Sequence, residues 1–79
     1  MAYNGWKNYE TWNVYLWVGN DEPLYRAMQE ELRKVGKFTA VSAQRWTMEQ
    51  MPNGTPDFRR GRRQYDLVDW EEIANAYNE

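Results

Sequence analysis

The chain has 79 residues, a length that suits one domain and excludes two separate hydrophobic cores. It contains no cysteine and no histidine, which excludes disulfides, thiolate metal sites and the commonest general base and metal ligand. Ten basic and twelve acidic residues give a net charge of −2. We therefore predict a single domain, residues 1–79, without catalytic residues, metal or cofactor.

Large aromatic side chains offer a small chain an alternative to disulfides as a source of stability. The sequence has five tryptophans, six tyrosines and two phenylalanines, and each aromatic can bury about 150–250 Å². We expect most of the tryptophans to lie in the core. The chain opens without a signal-peptide pattern, and no apolar run approaches the ~20 residues of a membrane span. These features predict a cytoplasmic protein.

The first predicted helix covers residues 9–18. Asn8 is a good N-cap residue, and Glu10 lies in the first turn, where a negative charge is favourable. The aromatic and β-branched composition of this stretch is also typical of a strand. We favour the helix because Tyr9, Trp12 and Leu16 keep helical spacing. Gly19 and Asn20 would then end the helix.

The second predicted helix covers residues 21–35 and has the clearest pattern in the chain. Asp21, Glu22 and Pro23 suit a helix start, and Gly36 suits the position just after a helix end. Apolar residues recur at steps of four, four and three, which places them on one face: Leu24, Met28, Leu32 and Val35.

Two further helices are predicted at residues 38–51 and 68–77. Thr39 or Ser42 would cap the first of them, whereas Asp69 and Glu72 have the spacing of a capping box for the second. The stretch from Pro52 to Pro56 breaks the chain between them, and residues 57–64 read as a polar loop.

The predicted fold class is therefore all-α, a compact bundle of three or four short helices with an aromatic-rich core. Several tyrosines and tryptophans should join the following core residues: Trp12, Leu16, Leu24, Met28, Leu32, Val41 and Ile73.

A basic cluster interrupts this acidic chain at residues 58–65, which we call the arginine segment. It carries four of the ten basic residues, so that six basic and twelve acidic residues remain elsewhere. Arginine and aromatic residues supply many interface hot spots, and a glycine-split loop can project its side chains. We predict that partner-binding residues lie here: Phe58, Arg59, Arg60, Arg62, Arg63 and Tyr65.

Two other interpretations of the arginine segment stay open. The arginines could neutralise phosphates of a nucleic acid while Phe58 and Tyr65 stack on its bases. They could instead be structural and pair with Asp66, Asp69 or Glu72. A protein partner remains the leading hypothesis, since a helix that is apolar almost all round would leave some aromatic rings at the surface.

Catalysis has little support in the sequence. Neighbouring carboxylates such as Glu30 and Glu31, or Glu71 and Glu72, diverge on a helix and cannot act on one substrate. No glycine-rich phosphate-binding loop and no serine nucleophile elbow occurs. The protein is therefore expected not to be an enzyme.

Three stretches of the chain resemble short uncharacterised proteins from phages, cyanobacteria and other microbes. The residues from Asn4 to Trp17 (NGWKNYETWNVYLW) follow their N-x-W-x-N-Y-E-T-W-N-V-x-L-W motif. The residues from Asn20 to Tyr25 (NDEPLY) follow an N-D-x-x-L-Y stretch. Near the end, the residues from Val68 to Ala74 (VDWEEIA) follow a V-[DN]-W-x-E-I-A element. Between Thr39 and Arg63 no pattern matches.

The resemblance implies a phage or mobile-element protein in the cytoplasm of a bacterial host, and no established activity. By analogy with that genomic setting, it suggests a host-takeover protein that binds a host protein complex. The specific form it suggests is an anti-defence inhibitor, either anti-CRISPR or anti-restriction. The motif also has a structural interpretation. Its tryptophans would form the core, while Asn8, Glu10, Thr11 and Asn13 would cap helices and bind backbone groups.

Overall fold

The computed structural model describes residues 3–79, and Met1 lies outside the described residues together with Ala2. Five helices follow one another within this range. They are α1 (Tyr9–Asn20), α2 (Glu22–Val35), α3 (Ala40–Gln50), a 3₁₀ helix (Gly61–Leu67) and α4 (Trp70–Tyr77). Within residues 3–79 the only extended pairing is an isolated bridge between Tyr3 and Trp6. The all-α class is confirmed for this range, with five helices where three or four were predicted.

Helix α1 begins as predicted and ends later. The side chain of Asn8 accepts a hydrogen bond from the Thr11 amide at 2.9 Å. The strand alternative for this stretch is therefore wrong. Gly19 and Asn20 do not end the helix, because Gly19 stays helical beside the Tyr15 ring. The last turn closes when the Asp21 amide donates to the Trp17 carbonyl.

Helix α2 shows how local signals set the ends of a helix. It starts after Asp21 with Pro23 in its first turn. It ends at Gly36, whose φ of +81° favours glycine and whose amide donates to the Leu32 carbonyl. Met28 is buried, as predicted, but Leu24 is only half-buried and Val35 is exposed.

Helix α3 is shorter than predicted, and a different face of it packs against the core. Thr39 and Ser42 form a reciprocal capping box at its start. The inward face carries Ala43, Trp46 and Thr47, and Phe38 is buried just before the helix. Val41 points outward instead and is 63% exposed, so its predicted place in the core is wrong.

The core lies where α4 packs against α1 and α3. The Tyr77 ring meets Phe38 at 5.1 Å and Trp46 at 5.8 Å between ring centroids, both edge-on. The Tyr77 hydroxyl shares a buried 2.7 Å hydrogen bond with Thr47. Among the other predicted core residues, Ile73 is buried, whereas three are only half-buried: Trp12, Leu16 and Leu32.

No helix among residues 3–79 has the length and apolar character to cross a membrane.

Candidate partner-binding surface

The polar side chains of α1 tie the chain after α3 to this helix. Asn13 is fully buried; its amide group donates to Asp57 at 2.8 Å, and its carbonyl oxygen accepts from the Thr55 hydroxyl. The Trp17 indole donates to the same Asp57 oxygen at 2.9 Å. These two donors, Asn13 first and then Trp17, lower the pKa of the Asp57 carboxyl group. The start of the arginine segment is thereby fixed to α1.

A second set of hydrogen bonds fixes the chain just beyond the arginine segment. Asn8, besides capping α1, donates from its side chain to the Leu67 carbonyl at 2.7 Å. The buried Thr11 hydroxyl accepts from the Asp69 amide at 2.9 Å. Asp69 in turn caps α4 by accepting from the Glu72 amide at 3.1 Å. The predicted roles of Asn8 and Thr11 as caps and backbone partners are confirmed. Glu10 and Asn13, predicted to act in the same way, form hydrogen bonds with side chains instead.

The Gln64 side chain lies between the arginine segment and α1 and holds the middle of the segment in place. This buried side chain accepts from the Arg60 amide at 2.7 Å and donates to Glu10 on α1 at 3.2 Å. Residues 57–64 are thus not an irregular loop throughout, because the 3₁₀ helix begins at Gly61. The segment is a supported turn whose backbone is held to α1.

The two aromatic rings of the arginine segment lie in the core. Phe58 is 7% and Tyr65 is 1% exposed, and the rings meet edge-on at 5.5 Å between centroids. The Tyr65 hydroxyl donates to the Met51 carbonyl at 2.6 Å, and burial raises the pKa of Tyr65 to about 12. A partner cannot reach these rings on the folded protein. This burial corrects the expectation that Phe58 and Tyr65 would present themselves to a partner; they anchor the segment instead.

The four arginines of the segment all face solvent. Arg59, Arg60, Arg62 and Arg63 are exposed. Across residues 3–79 the one ion pair within 4.0 Å joins Arg26 to Glu22 in α2. The structural alternative, in which these arginines brace Asp66, Asp69 or Glu72, therefore has no ion pair to support it. The four guanidinium groups are available to bind an anionic group from outside.

Arg59 and Arg60 border a polar cleft of about 420 Å³ between the arginine segment and α1. Its two carboxylates already accept hydrogen bonds, Asp57 from Asn13 and Trp17, and Glu10 from Gln64. Burial, followed by the nearby Asp57 charge, raises the pKa of the Tyr9 hydroxyl at this cleft. The remaining lining residues are Gln64 and Leu67.

The acidic and buried polar side chains of residues 3–79 form no metal-binding cluster beside this surface. Within the described part of the chain, no three carboxylates lie close enough together to hold a metal ion. Every buried side-chain nitrogen or oxygen atom there has a hydrogen-bond partner. The polar groups of the interior are therefore committed to structure.

Fold and surface together define a small helical protein with four exposed arginines on a segment that is anchored to the core and to α1. The chain belongs to a family of unknown function, DUF7249, whose model matches residues 1–79. Neither a curated protein nor a solved structure matches the chain.

Proposed function

We propose that this protein is a non-enzymatic phage or mobile-element protein that binds a host protein complex through its arginine segment. The observation that supports this proposal is the set of four exposed guanidinium groups without an ion-pair partner in residues 3–79. The specific form of the proposal is an anti-defence inhibitor, anti-CRISPR or anti-restriction, that acts stoichiometrically in the cytoplasm of a bacterial host.

The way the segment is held favours tight binding. Phe58 and Tyr65 anchor it in the core, and Gln64 fixes its backbone to α1. A preorganised backbone loses little conformational entropy when a partner binds. Arginine forms bidentate hydrogen bonds with carboxylates, and it is among the residues that most often carry interface affinity. An acidic face of a partner protein would complement the segment.

Nucleic acid is the second candidate partner. The unpaired arginines favour it because each could neutralise a phosphate. The burial of Phe58 and Tyr65 counts against it, since both rings proposed to stack on bases lie in the core. The acidic excess of the rest of the chain also repels a polyanion.

Affinity capture from lysates of bacterial hosts tests the proposal. The tagged wild-type protein should retain a host complex in stoichiometric amounts, and a variant with Arg59, Arg60, Arg62 and Arg63 changed to alanine should not. Truncating one true anchor should weaken binding by about 2 kcal/mol or more, roughly thirtyfold in Kd. The melting temperature should stay nearly unchanged, because these side chains are exposed.

A control variant removes three exposed positive charges from the end of α2 and the turn after it, through Arg33→Ala, Lys34→Ala and Lys37→Ala. This variant should keep the host complex. A mobility-shift assay at two salt concentrations separates the two candidate partners. Salt-sensitive binding of nucleic acid that disappears in the four-arginine variant, with no captured protein, would contradict the proposal.

A further inference from the structure

The outer face of α3 forms a shallow groove of about 410 Å³, which we call the α3 groove. Its lining residues are Val41, Gln44, Arg45, Met48, Glu49 and, from the 3₁₀ helix, Arg62. Val41 is 63% exposed, so an apolar side chain faces water at one end of the groove. Met48 packs partly against the core and continues the apolar floor.

The apolar floor has the length of a short helical contact. Val41, Arg45 and Met48 follow one another at steps of four and three, so they share one face of α3. With a rise of 1.5 Å per residue, Val41 and Met48 lie about 10 Å apart along the axis, about two helical turns. Two turns of a partner helix would bring two apolar side chains onto this floor.

The charges around the floor are mostly positive. Arg45 comes from α3 and Arg62 from the 3₁₀ helix, so two separate elements place guanidinium groups beside the groove. Neither has a carboxylate within 4.0 Å among residues 3–79. Glu49 is the one acid in the lining and follows Arg45 by one helical turn. An apolar floor flanked by unpaired arginines complements an acidic, amphipathic segment.

We infer that the α3 groove binds an acidic amphipathic helix of the partner protein. The inference rests on the proposed function, because it names the chemistry of that partner, and Arg62 belongs to both surfaces. Apolar side chains of the bound helix cover Val41 and Met48, while its carboxylates pair with Arg45 and Arg62. Glu49 repels an acid at its end of the groove, which sets the direction of the bound helix.

Nuclear magnetic resonance tests the inference on the full chain without the host partner. The probe is a short synthetic helical peptide with leucines on one face and glutamates flanking them. A second peptide carries lysine in place of each glutamate. The acidic peptide should produce saturable amide shifts at residues 41–49 and at Arg62, and the basic peptide should not.

Matched pairs of variants distinguish specific binding in the α3 groove from non-specific binding of the peptide elsewhere on the surface. Val41→Ser should weaken binding of the acidic peptide by about tenfold because apolar contact is lost, whereas Val35→Ser removes an exposed valine from α2 and should change nothing. Arg45→Glu should abolish the shifts, whereas Arg33→Glu on α2 should not. All four side chains are exposed, so folding should survive.

Three results would overturn the inference: no saturable shifts at the groove, equal shifts with the basic peptide, or equal effects within either variant pair. These results leave the proposed function standing if the arginine segment still captures a host complex. Conversely, failure of the wild-type protein to capture any host complex, with binding of the acidic peptide intact, would reject the proposed function and leave the groove as a peptide-binding site.

Discussion

The Gly54→Ala substitution tests how closely Gly54 approaches Phe58 and Gly61 in the turn before the 3₁₀ helix. Gly54 has a φ of +94°, and a Cβ atom there would lie 2.7 Å from Cδ2 of Phe58 and 3.1 Å from the Gly61 carbonyl oxygen. The ring is buried and the oxygen belongs to the backbone, so neither can move freely. Gly36 is a matched control, since its φ is +81° but nothing lies within 4 Å of the added atom.

The expected losses differ because only one of the two substitutions meets a steric obstacle. A left-handed backbone costs an alanine about 1–2 kcal/mol relative to glycine, so Gly36→Ala should lose about that much. Gly54→Ala adds an overpacking cost of about 1–3 kcal/mol. Its total is about 2–5 kcal/mol, a large part of the ~4–12 kcal/mol expected for a domain of this size.

Urea unfolding followed by tryptophan fluorescence would compare the two variants, with thermal melts as a second measure. Each 1 kcal/mol should lower the Tm by about 4–8 °C. Free energies of unfolding that fall equally in the two variants, within about 0.5 kcal/mol, would refute the close approach of Gly54 to Phe58 and Gly61. The packing of Gly54 against Phe58 and Gly61 would then not support the arginine segment in the way that the structure describes.

Two further predictions concern hydrogen bonds in the interior and at its edge. Hydrogen bonds from Asn13 and Trp17 lower the pKa of the Asp57 carboxyl group in the folded protein. The ionised carboxylate therefore stabilises the fold above the unfolded-state pKa of about 3.9, and this stabilisation is lost as the pH falls through the lower pKa of the folded state. The Tm difference between wild type and Asp57→Asn should therefore be largest near neutral pH and shrink below about pH 4; a constant difference would contradict this. For the buried Thr47–Tyr77 bond, Thr47→Val and Tyr77→Phe should each cost about 1–2 kcal/mol, because each leaves a buried hydroxyl unpaired. In a double-mutant cycle the combined variant should lose less than the two losses together, and strict additivity would show that the hydroxyls act independently.

Helix starts were predictable because a cap is a local feature. Asn8, Thr39 and Asp69 each accept a hydrogen bond from an amide three residues later, as their sequence positions indicated. Gly36 also ends α2 as predicted. The end of α1 was not predictable in this way, since Gly19 continues the helix against the Tyr15 ring.

The orientation of a helix depends on its neighbours, which its own sequence does not reveal. Helix α3 lacks a regular apolar stripe, and Trp46 turns toward Tyr77 on α4. That contact leaves Val41 outside. Sequence spacing within α3 could not show which face would meet α4, so the predicted core residue was wrong.

For the candidate surface, the sequence predicted the exposure of the arginines but not the burial of the two aromatic residues beside them. The arginines stood out by composition and are indeed exposed. The inward turn of Phe58 and Tyr65 was not visible, because a polar, glycine-split stretch gives no periodic pattern. Asp57 was overlooked because its partners Asn13 and Trp17 are 44 and 40 positions away in the chain. Asn13, placed between Trp12 and Val14 in an apolar stretch of α1, was the one sequence signal that a distant polar partner was needed.

The bonds between α1 and the last third of the chain also bear on how the protein is made. A nascent chain that ends before Thr55 has synthesised α1, but the partners of Asn13 and Thr11 are still absent. Those side chains must remain hydrated, and a short isolated helix is only marginally stable in water. We therefore expect α1 to become stable only once residues 55–69, which carry these hydrogen-bond partners, have been synthesised. Ribosome-bound chains truncated before residue 55 should accordingly be sensitive to protease throughout α1.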